Sequence, residues 1–305
     1  MTNRDIERYE GSVFSFETIN DFIAAPIGAG LYSINYNGKP LEFLIDPVKN
    51  AQSILMSFHP AATDPDTTRP YFLGRNLFGS LPAHRVYFSD PSLEVDDNLT
   101  LAWFAGNRHQ RDMQQIITAL IGHIVQKLEA KHTIMFGASG GGFAALYYSA
   151  RTPKSLALVV NPQTDIMRYW EHHVLKYAHL AWGIDTVQEM TRTLPSKIST
   201  SVLHLYSLEL DNAVIYLQNT SDSHHVGEHF APLLEVLNPA NKVRFLFGVD
   251  WGQGHKPAPR ILQVGILEKA VACNGDWSQL LEIPDLLSLS AYPLVETGSP
   301  ANHDS

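Results

Sequence analysis

The chain has 305 residues, 45% of them hydrophobic and 17% charged, with a formal net charge of −9. That length can bury a full core in one large domain or two small ones, and an acidic balance without any basic run excludes a general nucleic-acid binder. No apolar run is long enough to span a bilayer.

A start without a charged-then-apolar leader pattern makes the cytoplasm the expected compartment. The single cysteine, Cys273, rules out an internal disulfide and reads as structural. In chain order, the first clear element is a hairpin: "GLYSINY" and "PLEFLID" flank Asn37-Gly38, which supplies the two positive-φ residues of a tight turn. "SILMSF" (53–58) and "RVYFSD" (85–90) read as short apolar strands, ended by His59-Pro60 and Asp90-Pro91. From Gln110 to about Lys131, Ile116, Ile117, Leu120, Ile121, Ile124, Val125 and Leu128 fall at helical spacing.

Strand and helix then alternate. "TIMFG" is a strand, "GGFAALYYSAR" a helix, and 155–161 a strand; 212–219 (strand), 228–237 (helix), 242–249 (strand) and 258–271 (helix) follow. Continuously apolar strands between amphipathic helices imply an α/β fold with a mostly parallel sheet covered on both faces. The interruption at about 164–211 is too long for a structureless loop and predicts a helical cap insertion over the sheet's edge. We expect one domain over 1–293 and a disordered tail at 294–305, where the composition turns small and polar.

The chemistry concentrates in "GASGG" (137–141), a G-x-S-x-G pattern directly between a predicted strand and a predicted helix. A sharp turn there lifts the Ser139 hydroxyl clear of the sheet, and Gly137 and Gly141 occupy places where a Cβ would collide. The alternative is a serine that only caps the helix. A phosphate-cradling loop fails on spacing and lacks a following Lys-Ser/Thr pair.

A serine nucleophile needs a base, and the base a carboxylate. In a fold of this kind they follow the later strands in the order acid, then histidine. "TSDSHHV" supplies Asp222 and "VDWGQGHKPAPR" supplies His255. With the strand–elbow–helix context, Ser139, Asp222 and His255 resemble the α/β-hydrolase superfamily over about residues 30–272. Asp165 in "NPQTD" is the second candidate for the acid, because some members of that superfamily take it there; Asp250 reads as shaping the loop. The spacing Asp222-x-His224-His225 admits a metal reading, but no second ligand cluster supports it, and neither a metal nor a cofactor is expected. His255 is expected within hydrogen-bond reach of Ser139.

The oxyanion requires donors. The backbone N–H of Gly140 is one candidate; His59 or Ala61 supplies the other, since Pro60 has no N–H. The chain departs here from the His-Gly-Gly pattern of many relatives. Trp170, His173 and Tyr177 in the insertion form either an aromatic floor for a sugar or acyl chain, or a helix face packed on the sheet. Arg108 stands as a candidate for a substrate carboxylate or phosphate, with a solvated helix start as its alternative.

The leading expectation is a serine hydrolase that cleaves a carboxylic ester, small or glycan-borne, through an acyl-enzyme. "FGASGGGFAALYYSA…VVNPQTDI" is similar to bacterial α/β-hydrolase-like proteins of surface-glycan assembly, which implies O-acyl transfer to a sugar hydroxyl as the second expectation. A non-catalytic binding protein of the same fold is the third.

Overall fold

A computed structural model describes residues 4–9, 11–64 and 66–287; the expected tail lies outside them. Strands β1 (Ser12–Phe16), β2 (Gly30–Tyr36), β3 (Lys39–Asp46) and β4 (Ser53–Phe58) come first, with helix α1 (Ile19–Ala24) between β1 and β2. Helix α2 (Arg75–Phe78), β5 (His84–Phe88), α3 (Met113–Lys127), β6 (His132–Ala138), α4 (Gly140–Ser149) and β7 (Leu156–Val160) follow. Helices α5 (Glu171–Tyr177), α6 (Val187–Lys197) and α7 (Leu203–Tyr206) make the insertion. Then come β8 (Ala213–Asn219), α8 (Ser223–His225), α9 (Ala231–Val236), β9 (Lys242–Gly248), α10 (Arg260–Ala272) and α11 (Trp277–Leu281).

The nine strands form one sheet in the order β1-β2-β3-β5-β4-β6-β7-β8-β9. Only the β2–β3 and β3–β5 pairs are antiparallel. The predicted hairpin closes with Tyr36 opposite Lys39, and Asn37 and Gly38 both carry positive φ. β1 escaped the sequence reading because "SVFSF" is largely exposed and adds in parallel to the outer edge of β2. No described helix is long and apolar enough to cross a membrane.

The unbroken apolar strands follow from a core on each side. Met135, Val214 and Tyr216 join one buried cluster, whereas Ile134, Phe136, Ile215 and Leu217 join the other. A strand alternates its side chains between faces, so a sheet covered on both sides needs apolar residues at consecutive positions. Helix α4 is buried at all 10 of its residues, which explains its lack of a polar stripe.

The insertion is helical as expected and is tied into the body. Val174, Tyr177, Ala181, Leu194 and Tyr206 belong to the same cluster as Phe58 and Tyr148. Ser199 exchanges two hydrogen bonds with the Gln114 side chain of α3, at 2.9 and 3.0 Å, and Tyr206 donates to the Leu146 carbonyl of α4 at 3.2 Å. It therefore packs on α3 and α4 as part of one core, while Tyr169 and Trp170 reach over to the His224 and His225 rings that follow β8. Truncating the fully buried Leu194 to Ala should cost about 2–5 kcal/mol and move a single urea transition followed by tryptophan fluorescence. An early, separate transition would mark the insertion as an independent cap.

Candidate active site

The elbow forms where β6 meets α4. Ser139 has φ 53° and ψ −120°, a strained conformation for a residue with a Cβ. Three backbone bonds hold it: Ser139 N–H donates to Val160 O at 3.0 Å, and its carbonyl accepts from Phe143 N at 3.2 Å and Gln163 N at 3.1 Å. The two predicted glycines are required by approach distance. A Cβ on Gly137 would stand 2.0 Å from the Gly141 carbonyl oxygen, and one on Gly141 would stand 2.2 Å from that of Phe58. The serine hydroxyl makes no cap bond to α4, so the helix-cap alternative does not describe it.

Ser139 is 7% exposed, and its hydroxyl accepts instead from Gln163 Nε2 at 3.2 Å. Gln163 Oε1 in turn accepts from the indole N–H of Trp103. An indole only donates, so it fixes the amide with its NH2 toward the serine. Trp103 and Phe104 both sit at positive φ, in a loop pinned by Asp90 Oδ2, which accepts from Phe104 N at 2.7 Å. Burial pushes the Asp90 carboxyl up to about 6, against the pull of the Phe104 and Ser92 N–H groups.

His255 stands in the loop between β9 and α10. Two asparagines at the ends of neighbouring strands tie that loop down. Asn161 Nδ2 donates to Lys256 O at 2.8 Å, and Asn219 Nδ2 to Gly252 O at 2.9 Å and Gly254 O at 3.1 Å. The strand ends are themselves joined, Asn219 N donating to Asn161 Oδ1 at 2.7 Å. His255 Nδ1 lies 2.6 Å from Asp222 Oδ2, and His225 Nδ1 lies 2.9 Å from the same oxygen. The two imidazoles stack, with centroids 4.1 Å apart and planes 15° apart. Burial works to raise the Asp222 carboxyl, but the His225 and His255 hydrogen bonds more than reverse it and hold it well below the usual carboxylate range. Burial lowers His225, against its bond to Asp222.

Asp222 is thus the carboxylate that holds His255. Asp165 accepts from Met167 N at 2.8 Å and starts a short 3-10 turn, while Asp250 is exposed. Ser139 and His255 line one cavity of about 640 Å³. Among the described residues they share no hydrogen bond: the serine oxygen is turned to Gln163 and His255 is held through Nδ1 by Asp222. Of the Asp-x-His-His spacing, His225 joins Asp222 and His255, with ligand atoms within 4.8 Å of one another. His224 instead stacks on Trp170 at 3.9 Å. Both Nδ1 atoms are spent on the carboxylate, so hydrogen bonding accounts for the group.

The Gly140 N–H heads α4 beside Ser139. The His59 side chain is structural. Its Nδ1 donates to Pro60 O at 2.7 Å and its Nε2 accepts from Asp90 N at 3.0 Å, and burial pushes it down to about 4. Pro60 lines the cavity and Ala61 packs partly buried against the core.

Of the insertion's candidate residues, Tyr177 takes the packing role. Tyr177 is fully buried and donates to Gly106 O at 2.7 Å; His173 stacks on Tyr169; Trp170 is half-exposed over His224. Arg108 bonds through its backbone to Ala181 O and through its side chain to Leu180 O. All four hold the insertion together or to the body, and none lines the cavity. The walls come from Phe72, Leu73, Leu77, Phe136 and Val160. Sequence reading missed them because "YFLGRNL" is too short to show a period. It also missed Gln163, whose only signal is its place two residues after an asparagine ending the strand next to the elbow.

Strand order, the elbow after β6 and the later acid and histidine define the α/β-hydrolase fold, and comparison with solved structures agrees. The capsule O-acetyltransferase of Neisseria meningitidis serogroup A is similar over 79% of this chain and 93% of its own, at 17% identity and a TM-score of 0.53. A mutant of that enzyme in complex with CoA matches over 80% and 95%, also at 17% identity and 0.53. Prolyl oligopeptidase B from Galerina marginata matches at 14% identity and a TM-score of 0.52, over 84% of this chain but 37% of its own. No family model and no curated protein sequence matches the chain.

The buried imidazoles set an acid limit on stability. Burial holds His59 at about 4 and His229 at about 2, against an ordinary 6.5. The unfolded chain therefore takes up those protons first, so their contribution is complete above pH 6.5 and lost as pH falls toward those values. The loss is about 1.4 kcal/mol per histidine per pH unit. Asp90, raised from 3.8 to about 6, opposes this between those two values. Urea unfolding from pH 7.5 to 5.5 should show declining stability, with a shallower slope for His229→Asn. An unchanged slope would contradict the burial argument.

Proposed function

We propose that the protein is a serine acyl hydrolase that cleaves a carboxylic ester. The observation carrying this reading is that a serine at a strained elbow and an aspartate-bound imidazole open onto one cavity. In the first step the Ser139 hydroxyl leaves Gln163 and attacks the ester carbonyl, its proton passing to His255 Nε2. Asp222 orients the imidazole through Nδ1 and stabilises its cationic form. The Gly140 N–H faces the developing oxyanion, with a second donor from the His59–Ala61 segment. Collapse expels the alcohol, which takes the proton from His255 and leaves an acyl group on Ser139. Water then gives a proton to His255 and releases the acid, restoring the serine.

His225 serves as a positioning residue. It gives Asp222 a second hydrogen bond and covers one face of the His255 ring, which limits rotation of the imidazole away from the carboxylate.

A second reading replaces water by a sugar hydroxyl, making the same site an O-acyltransferase. Its support is the likeness to the capsule O-acetyltransferase, and the half-open cavity would have to exclude water from the acyl-enzyme for transfer to dominate.

Ser139→Ala should lose at least about a thousandfold in kcat on a short-chain ester and lose labelling by a fluorophosphonate, with its unfolding midpoint nearly unchanged. Retained turnover would remove Ser139 from the mechanism. Release of free acid that stays constant as sugar acceptors are added would favour hydrolysis; diversion of the acyl group to the acceptor would favour transfer.

A further inference from the structure

The cavity beside Ser139 and His255 is lined both by apolar side chains and by two arginines. Arg75 and Arg260 both line it, and both are exposed, while its lining contains no carboxylate. Among the described residues neither guanidinium has a carboxylate within 4.0 Å, whereas Arg4, Arg69, Arg85 and Arg168 each have one. Arg75 instead lies 5.8 Å from the Tyr9 ring centroid. Arg260 uses one nitrogen, Nη2, to donate to Asn76 O at 2.7 Å, which fixes α10 to α2 beside the cavity it lines. Asp46 lines an adjoining cavity with Arg75 but is paired with Arg85 at 2.7 Å; in a chain whose acids outnumber its bases by 31 to 22, two neighbouring cations without a direct acidic partner leave a local positive potential that an anion would satisfy.

We propose that this cavity selects esters carrying an oxyanion group, a carboxylate or a phosphate, separated from the scissile carbonyl by a short apolar spacer. Arg75 and Arg260 bind the anion, and the wall of Phe72, Leu73, Leu77 and Phe136 holds the spacer. The proposal rests on the reading of Ser139 as nucleophile. A planar guanidinium fork matches either oxyanion in two-point contact, and a neutral ester would leave both forks solvated and gain nothing from them. The selectivity is therefore expected in KM and in its salt dependence.

The test uses the full chain and matched chromogenic esters whose acyl chains end in a carboxylate, a phosphate or a methyl group. A second set carries the same groups on the alcohol side. We expect kcat/KM for at least one anionic ester to exceed that of its neutral partner by about tenfold or more, with the advantage shrinking as salt is raised. Carboxylate against phosphate, and acyl against alcohol side, then name the source of the anion. Arg75→Gln should bring the ratio close to unity, and Arg75→Glu should invert it. Arg260→Lys, which keeps a charge and a donor for Asn76, should retain more of the ratio than Arg260→Gln. If Arg260→Gln does not fold, the Arg75 pair decides, because among the described residues the Arg75 side chain anchors no neighbouring element through a hydrogen bond. Equal turnover of anionic and neutral esters, or a ratio indifferent to Arg75, overturns the proposal and leaves the serine mechanism standing. No turnover of any ester, with Ser139 unlabelled, overturns both.

Discussion

The approach of α4 to the strands beneath it is the constraint on which the site depends. Gly137 faces the Gly141 carbonyl, and Gly141 faces the Phe58 carbonyl, at separations that leave no room for a methyl group at either place. Because helix and strand are that close, the residue between them cannot take an ordinary turn conformation. Ser139 absorbs the difference at φ 53°, and a fully buried helix keeps it there. Strain at one residue is thus held by burial of ten. The same crossing sets the Gly140 N–H beside Ser139 and brings Gln163, anchored by its own N–H to the Ser139 carbonyl, within reach of the hydroxyl.

The histidine side of the site is governed by a different economy. His255 is on an exposed, glycine-rich loop, the kind of segment that ordinarily moves. Asn161 and Asn219 give that loop bonds to two strand ends, and Asp222 adds a charged contact at 2.6 Å. The stacked His225 occupies the place a freely turning imidazole would need. Two neutral amides and a second histidine therefore do for a loop what a strand would do for a more regular element. In the proposed reaction the Ser139 hydroxyl leaves its bond to Gln163 Nε2 before it attacks.

Much of this was legible in the sequence, and for identifiable reasons. The hairpin at Asn37-Gly38, the long helix around Ile117 to Ile124 and the alternating strands depend on local turn chemistry and period. Ser139 was legible because glycine spacing reports backbone crowding directly. Asp222 and His255 followed from position after the last two strands, and the structure pairs them. What was not legible depends on folding back over distance. The Trp103–Gln163–Ser139 chain joins three loops through residues at unusual backbone angles. The cavity wall at 72–77 shows no period, and Arg260 acquires its meaning only when α10 reaches α2. The aromatic residues of the insertion left two readings open because a helix face suited to a ligand and one suited to a core share the same spacing; burial places Tyr177 in the core.

The most direct measurement is a crystal structure of the protein after reaction with a fluorophosphonate. The account predicts a phosphonyl group on Ser139 Oγ, the hydroxyl's bond to Gln163 broken, the phosphoryl oxygen at the Gly140 N–H, and His255 Nε2 within hydrogen-bond distance of the adduct while Nδ1 stays on Asp222. An unmodified serine still bound to Gln163, or an adduct that His255 does not approach, would contradict it.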